Sequence, residues 1–204
     1  MQPGTILIIN GTSSSGKTSL VRELQKRLDA PFLDAGLDRF LWMLPRRYLD
    51  RPLWDDVLGL ADVAGETGHT LISGMHHAIL ALALSGNNVV ADHVLVEPRW
   101  VAECAHLFAS QPAYLIGLNC ALEVLEQREL DRKDRTLGQA RKQFGLVHAH
   151  GEYDLMVDSG VYSTQECAAQ ICDFLASGAE PQALRALDHH LNAPAGKENP
   201  HESI

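Results

Sequence analysis

At 204 residues the chain has the length of one α/β domain, and its 46% hydrophobic and 21% charged residues exclude wholesale disorder. The net charge of −9 excludes a broad phosphate-backbone interface, because such affinity rests largely on Lys and Arg; any basic site has to be local. No apolar run reaches the ~18 residues that cross a bilayer, and MQPGTILIIN lacks the basic stretch and cleavage site of a leader, so the expectation is a cytoplasmic protein with no membrane and no nucleic-acid partner.

Thr5 to Asn10, TILIIN, is a continuous apolar run suited to a strand covered on both faces. Beyond a glycine-rich turn, Leu20, Leu24 and Leu28 recur at i, i+4, i+8 among charged residues and predict an amphipathic helix. Further strands are predicted at 32 to 36 (FLDAG), 88 to 92 (NVVAD), 113 to 118 (AYLIGL) and 153 to 158 (YDLMVD). The helices between them are expected over Leu37 to Leu44, Gly74 to Ser85, Pro98 to Phe108, Ala121 to Asp131, Leu137 to His148 and Thr164 to Leu175. Alternating strands and helices imply a parallel sheet with right-handed crossovers.

Two segments leave this rhythm. Residues 46 to 72, with Pro52, Gly59, Gly65 and Gly68, read as an irregular excursion over the sheet's C-terminal edge, a candidate wall for an acceptor. The tail, 176 to 204, carries Pro181, Pro194 and Pro200 and reads as a short helix over Pro181 to Leu191 with a loose remainder. The domain division is therefore 1 to 175 plus this tail. Its His189, His190 and His201 read as solvated, since no Cys or paired HxxxH accompanies them. Cys104, Cys120, Cys167 and Cys172 form no CxxC pair and read as reduced interior residues.

Chemistry concentrates first at residues 11 to 18, GTSSSGKT, which match the Walker A pattern with a strand before and a helix after. Gly11 and Gly16 let the backbone close around a polyphosphate, and the amides of Thr12, Ser13, Ser14 and Ser15 can face the anion. Lys17 reaches the β and γ phosphates, and Thr18 ligates magnesium. ATP and Mg²⁺ are the expected cofactors. Asp92, at the end of a hydrophobic strand, is placed to hold the same magnesium, with a turn-capping aspartate as the competing role. Asp38 can take a proton from an acceptor hydroxyl; on position alone a helix N-cap competes, and Asp34 is a rival base.

Arg128, Arg132, Lys133, Arg135, Arg141 and Lys142 form a basic run in an otherwise acidic chain. Either it is a solvated helix face or a lid over about 128 to 145 whose arginines close on the phosphates, with Arg128 and Arg132 one turn apart on one side.

In LIINGTSSSGKTSLVRELQ, FLDAGLDRFLWMLP, NVVADHV and EQRELDRKDRTLGQARKQFGLVHAHGEYDLMVD, in that order and spacing, the chain resembles the chloramphenicol phosphotransferase family from about Ile6 to Leu175. The resemblance implies a nucleotide-kinase-like three-layer sandwich: a five-stranded parallel sheet of order 2-3-1-4-5 with a small helical lid. It also implies transfer of the γ-phosphate of ATP onto a hydroxyl of a small antibiotic-like acceptor, giving resistance. By resemblance Asp38 is the base, Asp92 the paired acid with His93 where the family has a second aspartate, and Arg128, Arg132 and Arg135 the lid cations. The chain departs from the family over 46 to 77, which brings Trp54, Met75, His76 and His77 toward the acceptor side. Trp42, Met43, Met75, His76 and His77 are the candidate pocket residues, although aromatic and methionine side chains fill cores routinely. A shikimate- or nucleotide-type metabolic kinase, or a regulatory nucleotide hydrolase, are the alternatives. An NKxD base-reading motif is lacking, and DRKD at 131 to 134 lies on the expected lid. Oligomeric state is left open.

Overall fold

A computed structural model of the chain describes residues 2–46, 61–131 and 137–192. Its elements in order are β1 (Ile6–Asn10), α1 (Lys17–Arg27), β2 (Phe32–Asp34), α2 (Leu37–Leu41), α3 (Ala61–Leu84), β3 (Asn88–His93) and α4 (Pro98–Phe108). They continue with β4 (Ala113–Asn119), α5 (Leu122–Asp131), α6 (Gln139–Phe144), β5 (Leu155–Asp158), α7 (Thr164–Ala176) and α8 (Ala183–Asn192). The five strands pair in parallel in the order β2-β3-β1-β4-β5, as expected.

The period of two along β1 divides the core. Ile6 and Ile8 join Val89, Ala91 and Leu115 under α2, α3, α4 and α8. Leu7 and Ile9 join Val90, Ile116 and Val157 under α1 and α7. All four β1 side chains are fully buried, a gain of roughly 1.5–3 kcal/mol each relative to exposure. Thus the continuous apolar run in the sequence is the mark of a strand with a helical layer on each side.

Three expectations need correction. Residues 61 to 72 are not irregular: α3 starts at Ala61, and Gly68 is buried within it, so glycine here serves close packing rather than a turn. Residues 47 to 60, with Trp54, lie outside the described residues. Next, the helix expected to run to His148 ends at Phe144 and continues as turns through His150. Lastly, β5 begins at Leu155: Tyr153 is drawn away to Asn10, and the Asp154 carboxylate accepts the Leu115 amide at 2.8 Å.

In the tail, α8 lays Ala183, Leu184 and Leu187 into the larger core beside α4. An i, i+1, i+4 stripe in ALRAL supplies this apolar face. Cys104, Cys120 and Cys167 are buried free thiols, and Cys172 is half-buried. Among the described residues no helix is long and apolar enough to cross a membrane.

Candidate active site

β1 delivers its C-terminus to the glycine-rich loop, and register sets what lies beside it: Ile9 pairs with Asp92 and Asn10 with His93. Gly16 enters α1 at φ +94°, a left-handed conformation that a side chain would strain. The loop then directs its amides inward at the helix N-terminus.

Among the described residues, the Ser13, Ser14 and Ser15 hydroxyls are buried without a hydrogen-bond partner. Such groups are costly unless a ligand completes them, so the cradle fits a multiply charged oxyanion. The Lys17 ammonium donates to the Gly11 and Thr12 carbonyls at 2.8 and 2.6 Å, which places the cation under the same cradle.

Thr18 Oγ1 donates to Asp92 Oδ2 at 2.8 Å, bringing together the hydroxyl and carboxylate expected to share a cation. Burial raises the Asp92 carboxyl above the usual carboxylate range; Lys17 and Thr18 pull the other way, and Asp38 and Asp34 add repulsion. A divalent cation would offset that burial, so the donor set fits magnesium. Gly36 permits this packing, since a Cβ there would lie 1.9 Å from Asp92 Oδ1.

The two rival aspartates separate. Asp34 accepts from Arg39 at 3.0 and 2.6 Å and from the Gly36 amide at 3.1 Å. Asp38, in the first turn of α2, lines a cleft with Ser13, Lys17, Thr18, Asp92, His93 and Gln143. Trp42, Met43, Met75, His76 and His77 do not line it. Trp42 and Met43 are exposed at the end of α2, Met75 and His76 are fully buried, and His77 faces a separate cleft between α3 and α4.

A second cleft of about 530 Å³ opens on the other side of the loop, lined by Ser14, Gly16, Ser19, Arg128, Ser159 and Tyr162 among others. Arg128 forms its floor by donating to the Ser159 carbonyl at 2.7 Å and the Ser15 carbonyl at 3.4 Å. Arg132 and Arg135 lie outside the described residues.

Several site residues carried no individual signal in the sequence. Gln143 Oε1 accepts the Ser13 amide at 2.7 Å, tying α6 to the loop. Glu129, buried amid the basic run, accepts the Gly138 and Ala140 amides at 3.0 and 2.6 Å and so caps α6. Asn10 spans Leu95, Val147 and Tyr153. Beside it, burial and then His148 lower the His150 imidazole to about 4. Behind Asp92, the buried His93 meets His76, which meets Glu103; burial, followed by His76, pushes His93 well below its ordinary value.

A provisionally named O-phosphotransferase of Mycobacterium tuberculosis strain H37Rv is 30% identical over 92% of this chain and 89% of its own length. In fold, an unliganded sugar kinase from Janibacter sp. HTCC2649 superposes with a TM-score of 0.65 at 15% identity, over 91% of this chain and 98% of its own. Shikimate kinase from Acinetobacter baumannii does so with a TM-score of 0.58 at 15% identity, over 87% and 95%. The model of the chloramphenicol phosphotransferase-like proteins matches residues 4–176. The chain belongs to that family: it is a phosphotransferase on the P-loop kinase fold that moves phosphate to a hydroxyl group.

Proposed function

We propose that the protein phosphorylates a hydroxyl of a small antibiotic-like molecule with ATP and magnesium, inactivating it. The observation that carries this reading is the Thr18–Asp92 pair beneath an anion-ready loop, with Asp38 on the same cleft. The triphosphate lies on Gly11 to Thr18, and the cleft floored by Arg128 takes the base and ribose. Thr18 and Asp92 hold the magnesium, which when bound neutralises phosphate charge.

Asp38 accepts the proton of the acceptor hydroxyl as that oxygen bonds to the γ-phosphorus and the bond to the bridging oxygen of ADP breaks. Lys17 meets the charge on the transferring group, and Arg132 and Arg135 are assigned to close over it. Asp34, which is absent from the lining of the cleft that Asp38 shares, is the weaker candidate base. The antibiotic class rests on the family description and on the sequence resemblance.

The test is ³¹P NMR of ATP consumption against chloramphenicol, nucleoside antibiotics, shikimate and nucleoside monophosphates. A phosphate ester formed on an antibiotic is the expected result. Transfer confined to the metabolic acceptors overturns the antibiotic assignment, and inorganic phosphate as the sole product overturns the transferase reading.

A further inference from the structure

His76, His93 and Cys104 come from α3, β3 and α4 and bring three potential metal donors within 4.8 Å of one another, all buried. Hydrogen-bond directions decide what they form. The Val94 amide lies 2.7 Å from His93 Nδ1, and a backbone amide can only donate, so Nδ1 holds the ring's lone pair. A neutral His93 therefore carries its proton on Nε2, 2.8 Å from His76 Nε2, which accepts it. His76 then carries its own proton on Nδ1, against Glu103 Oε2 at 2.5 Å. Glu103 Oε1 accepts from Ser73 at 2.6 Å.

The run Val94, His93, His76, Glu103 has one direction and satisfies all four imidazole nitrogens. A metal at His93 Nε2 would force the ring proton onto Nδ1, facing another N–H. Cys104, 3.3 Å from His76 Nε2, meets a nitrogen whose lone pair is already engaged.

We propose that Glu103 and His76 are positioning residues that act through His93 to hold Asp92 at the magnesium site. This rests on the reading of Asp92 and Thr18 as magnesium ligands. Strand alternation turns Asp92 and His93 to opposite faces of the sheet, so the acid projects toward α1 while the chain anchors the same backbone to α3 and α4. The anchored segment also carries the His93 carbonyl that accepts the Gly11 amide at 3.3 Å. Glu103 is 27% exposed, so changing it spares the buried core.

The experiment titrates Mn²⁺ by electron paramagnetic resonance in the presence of a non-hydrolysable ATP analogue, alongside thermal melting. Glu103→Ala strands the His76 Nδ1 proton and is expected to weaken Mn²⁺ roughly threefold to tenfold, below the 10–100-fold typical of partners that touch the ligand directly. Glu103→Gln can still accept from His76 while donating to the Ser73 hydroxyl, so it should stay within about twofold of wild type. Cys104→Ala should leave Mn²⁺ affinity unchanged.

A lower melting temperature in Glu103→Ala with unaltered Mn²⁺ affinity overturns the proposal, because a merely structural brace behaves that way. Stoichiometric zinc in the purified protein that disappears in Cys104→Ala overturns it in favour of a metal centre. Wild-type protein that binds no Mn²⁺ with nucleotide would instead overturn the reading of Thr18 and Asp92.

Discussion

The amide of Ser13 donates to the side-chain carbonyl of Gln143 at 2.7 Å, so α6 holds a group that the phosphate loop would otherwise offer to an anion. A neutral carbonyl and a phosphate oxygen are interchangeable acceptors for that amide, and the phosphate is the stronger. Gln143→Ala should cost on the order of 1 kcal/mol in the ligand-free protein, lowering its melting temperature by about 2–4 °C. Adding ATP should then raise the melting temperature more in the variant than in wild type. Equal ligand-induced shifts in the two proteins would show that nucleotide and glutamine do not share the amide.

The separation of Asp34 from Asp38 makes a paired test. Asp38→Asn should lose phosphotransfer by roughly 10² or more with nucleotide affinity retained, the scale of a removed general base. Asp34→Asn should lose far less, because its visible work is to hold Arg39 and the Gly36 amide. Reversal of this order would move the base to Asp34. Near-normal turnover in both would mean that positioning and charge suffice, as loose phosphoryl transfer allows.

Gly36 reports on packing against the acid. A methyl group at this position meets Asp92 Oδ1 at 1.9 Å, so Gly36→Ala has to displace the carboxylate or the turn. The magnesium concentration for half-maximal activity should rise, by roughly tenfold on the scale of disturbed metal-ligand supports. Unchanged magnesium dependence would show that Asp92 has room to move without consequence.

Acid should weaken the fold through its buried imidazoles. His150 is lowered from 6.5 to about 4 by burial and by His148, and the unfolded chain keeps the ordinary value. Below 6.5 the unfolded state takes up the proton first, so the stability held by neutral His150 is present above 6.5 and is lost as pH falls through about 4. His93, lowered for the same main reason, acts in the same direction. Melting temperature should drop over this interval, and less steeply in His150→Gln. An identical pH slope in that variant would place the acid sensitivity elsewhere.

The strands were legible because TILIIN and NVVAD are dense apolar runs between turn residues, and α4 because Pro98 opens a clear amphipathic pattern that ends at Phe108. The phosphate loop was legible because its residues are contiguous. What escaped depends on convergence in space. Gly68 concealed the first turns of α3, since sequence does not distinguish a glycine that packs from one that turns. His76, His93 and Glu103 lie on three separate elements, so no local pattern connects them. Glu129 sat unremarked in a basic run, its neighbours suggesting charge balance while its carboxylate caps the next helix.

The placement of α8 separates two boundaries that are easily equated. The match to the family model ends at residue 176, yet Ala183, Leu184 and Leu187 close the core beside α4. A protein shortened at residue 176 would expose the seat of those side chains on the helix that carries Glu103. It should melt lower and self-associate through that bared strip, so the unit that folds runs past the last residue of the family match.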